Sequence, residues 1–458
     1  MSETFSSPLY QGLPAAAVAH ADERTSATRT SFFFLCLFTV AIYARPEDIF
    51  PSVGRLHLTF LLGACTGLAY LGAWLSGKAS FIDSRPLRLM MWLTFWFVLG
   101  LPFAYWRGGS FQVLTGTWFK TLLVFFLLTQ TLTTLSRIRV VLWAVILSEL
   151  AVTAYSILDP SRSMWVGDRL SGVSKGFLGW NFLGIAAALT TPYILALFIT
   201  RPSILKSIVL ASATAAVSWM LILTASRSGI MTFLLSVLLS SILVLKRSAL
   251  GKFVALGVIT AVLLAIAAAP GVFWQRIQTI WSQSAPTSLV SASADASEQE
   301  RRAVLMDSIT YTLQNPLFGL GLGNFSVARG TTTGVPSGWL GTHNSFTELS
   351  SEAGLPALLI FLALLGSSIR RMWRLAKADT ATQEDVQLNR MARATLASLM
   401  AFVFGAFFAH IAYEYFLYYP VAIGVGLEYV HRTAPRQSVS TAAAPVFDCR
   451  DLVRVRNI

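Results

Sequence analysis

One histidine of this sequence lies in a setting suited to acid–base chemistry. His343 is part of the segment GTHNSFTELSSEAG, where Asn344 follows it and Glu348 and Glu352 come shortly after. Histidine titrates near neutral pH, so His343 could accept a proton from a hydroxyl or hold charge beside a phosphate. A hydrogen-bonded loop histidine with a structural role is the alternative. The two glutamates, and Glu414 further along the chain, are other candidates for the base.

Four arginines are candidates for binding an anion. A guanidinium offers a planar fork of N–H donors that matches phosphate oxygens, and several could clamp a diphosphate. Arg227 lies in SRSG, where an apolar helix is predicted to start, and the free N–H groups of a helix N-terminus also favour an anion. Arg169 lies in the polar turn GDRLSG, and Arg301 and Arg302 lie at the start of another predicted helix.

Structural roles compete with anion binding for each of these arginines. A single arginine outside the membrane often contacts a lipid headgroup or forms a loop salt bridge. Arg301 and Arg302 could instead pair with Glu298 and Glu300 on the same helix. Anion binding becomes the better interpretation if several arginines and a titratable group lie together on one face of the protein.

Motifs of several enzyme classes are absent from the sequence. It contains no nucleotide-binding P-loop, no HExxH and no GxSxG motif, and its three cysteines fit neither a disulfide framework nor a zinc site. The glycines of GLGLGNF follow a helix and a proline rather than a strand, so they predict a close-packed turn that approaches another loop or a sugar. Serine hydrolysis and ATP-driven transport are therefore unsupported, and we expect no cofactor and no metal.

The composition places these residues in a membrane protein. The chain has 458 residues, 55% of them hydrophobic and only 12% charged, with a mean hydropathy of +0.62. Soluble domains carry roughly 25% charged residues. Long continuous apolar runs favour membrane-spanning helices of about 20 residues over a β-barrel. The net charge of +13 is explained by basic cytoplasmic loops, so no nucleic-acid partner is expected.

We predict an all-α polytopic membrane protein of about 12 transmembrane helices, with both termini in the cytoplasm. The predicted spans are 31–44, 57–76, 89–106, 113–135, 140–158, 176–200, 207–225, 229–245, 253–272, 353–369, 393–413 and 415–430. In this orientation 23 of the 35 lysines and arginines lie in cytoplasmic segments and 11 in outside segments. The orientation therefore agrees with the enrichment of basic residues on the cytoplasmic side of membranes.

The chain divides at its one long outside segment. We predict a cytoplasmic tail over 1–30 and nine transmembrane helices over 31–272. A large periplasmic catalytic loop follows over 273–352, then three transmembrane helices over 353–430 and a second cytoplasmic tail over 431–458. The loop is predicted to contain short helices, the first of which ends at Asn315-Pro316.

Several charged or aromatic residues fall within or beside the spans. Lys120 and Glu149 lie on neighbouring antiparallel spans, which predicts a buried structural ion pair. His410 and Glu414 are one helical turn apart at the outer end of span eleven. The aromatic run YFLYYP follows and predicts an interfacial belt, with a sugar-stacking wall as the alternative.

Together these motifs resemble the O-antigen ligase and polymerase superfamily. The similar features are SRSG at the start of a span, a DRLSG-type turn, a loop helix that begins with arginine, NPLFGLGLGNF and HNSFTELSSEAG. The resemblance implies a glycosyltransferase of the bacterial inner membrane that needs no nucleotide sugar, with its active site facing the periplasm. Direct attack on the anomeric carbon would invert it, and no metal is expected because the arginines supply positive charge. Its partners would be a glycan on undecaprenyl diphosphate, an acceptor such as lipid A-core, and the phospholipid bilayer.

The resemblance also implies roles for individual residues. Arg227 matches the family's span-end arginine, Arg302 its loop-helix arginine and His343 its loop histidine, so these three are the expected catalytic residues. Arg301 is the alternative match for the loop-helix arginine. The expected substrate-binding residues are Arg169, Arg301, Asn344, Glu348, Glu352 and Glu414.

Three other functions remain as alternatives. Motifs shared across the superfamily do not select the acceptor, so a polymerase that extends another lipid-linked glycan is the first alternative. A transporter of lipid-linked glycans would line a central cavity with cations, whereas most cations here are predicted at the membrane surfaces. A non-catalytic envelope scaffold or sensor would tolerate substitution of His343.

Overall fold

The protein is a bundle of helices with one short β-hairpin. The computed structural model describes residues 23–46, 50–158, 164–166, 169–172, 180–200, 202–224, 226–245, 289–334 and 339–433, with isolated positions between 251 and 274. The helices before the hairpin are α1 Arg29–Ala44, α2 Pro51–Gly54, α3 Leu58–Leu75, α4 Arg85–Gly100, α5 Arg107–Val113, α6 Phe119–Thr131 and α7 Leu135–Leu158. The helices after it are α8 Trp180–Phe198, α9 Ile204–Thr224, α10 Arg227–Ser240, α11 Leu289–Gln314, α12 Phe325–Thr333, α13 Ser345–Ala376, α14 Gln383–Gly405 and α15 Tyr418–Thr433.

The helices make this a multi-pass membrane protein. Seven helical segments of the described residues are long and apolar enough to cross a membrane: Leu58–Leu75, Arg85–Phe103, Arg107–Thr131, Leu135–Ser156, Ile204–Thr224, Arg227–Leu245 and Ser345–Ala376. Helix also occupies the predicted spans at 31–44, 176–200, 393–413 and 415–430, in whole or in part. The predicted span at 253–272 lies outside the continuously described ranges, so the total of twelve stays a prediction.

The β-hairpin is a departure from the predicted all-α fold. Strand β1 (Met164–Val166) pairs antiparallel with β2 (Arg169–Gly172), and Trp165 lies opposite Leu170. The strands are the two arms of the predicted polar turn before span six.

Contacts among the central helices α8, α10 and α14 show which of them run parallel and which run antiparallel. Gly184 of α8 packs on Gly229 of α10, and further along both helices Ser236 Oγ donates to the Ala188 carbonyl at 2.5 Å. These two helices therefore run parallel. Helix α14 runs antiparallel to them, because Ser398 Oγ donates to the Leu189 carbonyl while Gly405 packs nearer the start of α8. The starts of α8 and α10 and the end of α14 thus lie at one end of the bundle.

Segments predicted to be cytoplasmic meet at the opposite end. The Arg137 guanidinium donates to Thr28 Oγ1 at 2.8 Å and to the Thr131 carbonyl at 2.9 Å. Arg393 of α14 donates to the Ala376 carbonyl at the end of α13. The N-terminal segment and the connections after α6 and α13 are therefore joined on the side away from the start of α10.

Candidate functional site

His343 lies directly before helix α13, in a connection that holds its backbone in an unusual conformation. Its φ is +52°, in the left-handed region that non-glycine residues seldom adopt. The next residue, Asn344, caps α13 by accepting from the N–H groups of Phe346 and Thr347 at 2.9 and 3.2 Å. The cap and the backbone conformation together fix the position of the His343 imidazole. Asn344 therefore contributes by capping α13.

The imidazole of His343 packs against that of His410. The ring centroids are 5.3 Å apart and the rings are nearly perpendicular, at 76°. Gly341 leaves room for this pair, because a methyl group at that position would lie 2.9 Å from His410 Nε2. His410 comes from the connection between α14 and α15, so the pair joins two distant parts of the sequence.

Hydrogen bonds attach the His410 connection to the start of α13. The Ser345 N–H donates to the Ala406 carbonyl at 2.8 Å, and Ser345 Oγ donates to the Ala409 carbonyl at 2.7 Å. Ser345 Oγ also accepts from the Ile411 N–H at 3.0 Å. One serine therefore fixes both flanks of His410, which explains why the two histidines meet.

Burial makes His343 an uncharged base at neutral pH. Removal from water, with smaller contributions from His410 and Arg301, lowers the pKa of His343 to about 4. The imidazole is therefore neutral at pH 7 and has a lone pair that can accept a proton. Arg301 of α11 is one of the charges that disfavour protonation of His343.

We expect the acid limb of the pH–rate profile of the free protein to fall near pH 4. Because the pKa of His343 is depressed, the neutral base persists as pH falls from 7 and is lost only as pH passes through about 4. A solvated histidine would lose activity near pH 6.5. Measuring kcat/KM for glycan transfer between pH 3.5 and 8 checks this, and an acid limb near pH 6.5 would contradict it.

Arg227 is the first residue of α10, at the same end of the bundle. Ser226 caps this helix by accepting from the Gly229 N–H at 3.1 Å. One turn further, Thr232 packs against Gly405, whose neighbour Ala406 accepts from the start of α13. Arg227 is half-buried and lies at the end of the bundle where α14 ends and α13 begins.

The two adjacent loop-helix arginines have different surroundings. Arg301 is half-buried and interacts electrostatically with His343. Arg302 is exposed. Successive residues of an α-helix point about 100° apart, so only one of the two can face the histidine pair. Of the two, Arg301 is the arginine whose charge acts on His343.

Residues 210–362 match the family model described as O-antigen ligase. This stretch, about a third of the chain, is similar to the O-antigen ligase family. The matched stretch runs from within α9 to within α13 and includes Arg227, Arg301, Arg302 and His343. His410, Glu414 and Arg169 lie outside it. The search of curated proteins finds no match for this chain.

The glycine-rich turn after α11 packs on the first part of α13. Gly354 has φ +83° and breaks the helix there, and a methyl group on it would lie 2.0 Å from the Leu317 carbonyl oxygen. The Leu320 and Gly321 N–H groups donate to the Ser351 and Glu352 carbonyls, both at 2.8 Å. The close approach predicted for GLGLGNF is therefore to another segment of the protein.

Glu352 makes hydrogen bonds within the protein. Its Oε2 accepts from the Gly323 N–H at 2.7 Å and from the Tyr413 hydroxyl at 2.9 Å, while Oε1 accepts from the Phe325 N–H at 3.2 Å. Glu348 Oε2 similarly accepts from the Ala412 N–H at 3.0 Å. Both carboxylates hydrogen-bond α13 to neighbouring loops. This is a structural role, whereas substrate binding was expected from the sequence.

Replacing Glu352 with alanine is expected to destabilise the protein. Two backbone N–H groups and the Tyr413 hydroxyl would lose their acceptor in a buried setting, at a cost of about 1–3 kcal/mol. Thermal unfolding in detergent would show this as a lower midpoint. Asp379→Ala, which removes an exposed carboxylate at the other end of α13, serves as control. Equal midpoints for the two variants would contradict the assignment.

Glu414 lies beside two cations in the same connection as His410. Burial raises the pKa of Glu414, and the charges of Arg45 and Lys120 lower it. Arg169 has its backbone in β2, opposite Val166, and its side chain lies outside the described part of the structure. The structure therefore relates Glu414 to Arg45 and Lys120, and leaves the role expected of Arg169 untested.

The predicted Lys120–Glu149 ion pair is wrong. Both side chains are described and no ion pair joins them. Glu149 Oε1 instead accepts from Thr190 Oγ1 at 2.8 Å, and Lys120 is exposed. The error arose because two antiparallel helices can face each other with residues at the same depth rotated apart.

The aromatic run after Glu414 is part of the helical core. Tyr418 is fully buried, and Tyr419 is 2% exposed. Their hydroxyls donate to the Ala412 carbonyl and to Thr39 Oγ1. Neither the interfacial belt nor the sugar-stacking wall describes these two residues, because hydrogen bonding inside the protein allows tyrosine to be buried.

The site is built from arginines and imidazoles. Among the described residues, no group of three or more histidines, cysteines, aspartates or glutamates is placed to hold a metal ion. His410 is the residue that sequence reasoning missed as a neighbour of His343.

Proposed function

We propose that the protein is a membrane glycosyltransferase that moves a glycan from undecaprenyl diphosphate to an acceptor hydroxyl, with lipid A-core as the favoured acceptor. The observation that supports it most is the meeting of His343, His410 and Arg301 at the end of the bundle where Arg227 begins α10. A neutral base beside guanidinium groups suits the transfer of a group away from a phosphate.

The arginines hold the donor in this proposal. Arg227 and Arg301 neutralise the diphosphate, and the N-terminus of α10 adds partial positive charge at the same place. Arg302 is exposed one residue further and can engage the outer part of the donor. The undecaprenyl chain lies between helices, in contact with lipid.

His343 acts on the acceptor. Its imidazole takes the proton of the acceptor hydroxyl as that oxygen attacks the anomeric carbon of the donor sugar. The bond from the anomeric carbon to the diphosphate oxygen breaks, and undecaprenyl diphosphate leaves with the bonding electron pair. Direct attack inverts the anomeric carbon. Because the arginines supply the positive charge, the scheme needs no metal.

The same proposal places the protein in the bacterial inner membrane with this site facing the periplasm. Its support is the separation of the two ends of the bundle. The predicted cytoplasmic segments join through Arg137 and Arg393, whereas His343 and Arg227 lie at the other end.

Reconstitution with defined substrates tests the function. Purified protein is given a labelled glycan on undecaprenyl diphosphate together with lipid A-core and a second lipid-linked glycan. Labelled lipid A-core is the expected product, and chain extension would identify a polymerase instead. Absence of any glycan transfer would reject the glycosyltransferase. A larger loss in Arg301→Ala than in Arg302→Ala would show that the half-buried arginine is the one that contacts the diphosphate.

A further inference from the structure

A cavity of about 300 Å³ lies at the end of the bundle opposite His343. Helix α13 begins beside His343 and has 32 residues, so its far end is up to about 48 Å away. The cavity lies between that far end and the end of α15. Its polar lining consists of Arg371, Arg374, Glu428, His431 and Arg432.

The lining of this cavity has an excess of positive charge. Glu428 is its single carboxylate, and it is shared by two arginines: Oε2 accepts from Arg371 at 2.6 Å and Oε1 from Arg432 at 2.5 Å. Among the described residues no ion pair engages the Arg374 guanidinium. Three guanidiniums against one carboxylate leave the cavity suited to an anion with more than one oxygen.

The cavity borders a face of α13 that is open to lipid. Exposed residues recur at helical spacing along α13, including Leu355, Leu359 and Leu362, and the series continues to Trp373. Trp373 is half exposed and lies under the Lys377 ammonium, 4.3 Å from the ring centroid. Exposed tryptophan and lysine at the end of an apolar stripe are typical of the headgroup level of a membrane.

We propose that this cavity binds a phosphodiester group, and that an anionic phospholipid supplies it. Arg374 and Arg371 hold the phosphate oxygens, while the acyl chains follow the apolar stripe of α13. Basic pockets between transmembrane helices recognise anionic headgroups in this manner. The apolar stripe favours a lipid over a soluble phosphate, because a free ion would gain nothing from it.

Lipid retention by the purified protein tests the proposal. The protein in detergent is mixed with phosphatidylglycerol or phosphatidylcholine, and bound lipid is counted by native mass spectrometry. We expect phosphatidylglycerol to be retained in preference to phosphatidylcholine. Arg374→Gln should lower its affinity about fivefold, as expected for loss of one basic contact at a membrane surface.

Arg370→Gln is the matched control. Arg370 is an exposed arginine one turn earlier on the same helix, and it does not line the cavity. Its substitution removes the same charge and should change the affinity less than twofold. Equal losses in the two variants would overturn the proposal in favour of diffuse attraction, as would equal retention of the two lipids. Complete displacement of phosphatidylglycerol by millimolar inorganic phosphate would overturn the lipid as its source.

Discussion

Replacing His343 with alanine is expected to reduce glycan transfer by about 100-fold to 10,000-fold, the usual contribution of a general base. The substitution removes the imidazole that stays neutral at pH 7 because it is buried beside His410 and Arg301. Without it, the acceptor hydroxyl would have to lose its proton to water during attack. Binding of the lipid-linked donor should change little, since the arginines that hold the diphosphate remain.

The measurement is single-turnover transfer of a labelled glycan by purified protein. His57→Ala is the matched control, because His57 is also a histidine with a left-handed backbone conformation but lies exposed at the start of α3. The control should transfer glycan at the wild-type rate. Transfer by the His343 variant at half the wild-type rate or more would reject the proposed base.

The second large effect is expected from Arg227→Ala, which should reduce the rate by about 100-fold to 1,000-fold. Arg227 combines a guanidinium with the N-terminus of α10, so the substitution would leave the departing diphosphate with only the partial positive charge of the helix. Arg227→Lys should recover part of the rate, because lysine keeps the charge but lacks the planar fork of donors.

A second helix-starting arginine provides the control for this variant. Arg107 is the first residue of α5 and is exposed. Arg107→Ala should therefore leave the rate unchanged, with both variants inserted in the membrane to the same level. If the Arg227 and Arg107 variants transfer glycan equally fast, the proposed diphosphate site does not include Arg227.

The sequence predicted well those features that depend on neighbouring residues. Apolar runs predicted the positions of helices such as α3 and α9, because a long apolar helix is stable in lipid whatever it packs against. SRSG predicted the start of α10, since a serine cap and a following glycine act within one turn. The same reasoning failed at the β-hairpin, whose strand pairing requires two segments to meet.

Predictions about the site depended on longer distances along the chain. His343 could be selected by its type and surroundings, but its partner His410 is 67 residues away and meets it only because Ser345 binds both flanks of the connection. Likewise, the identity of the arginine beside His343 could not be read from two adjacent arginines. A rotation of about 100° on the helix separates them, and only packing fixes that rotation.

The sequence by itself determined that this is a helical membrane protein, approximately where most of its helices lie, and which residue types could bind a diphosphate. The tertiary structure decided which of those residues meet, that Glu352 is used to hold the glycine-rich turn, and that Tyr418 is in the core. The physical reason is the range of the interactions. Hydropathy and helix capping act within a few residues, whereas a buried hydrogen bond or a ring contact requires two distant segments to be brought together.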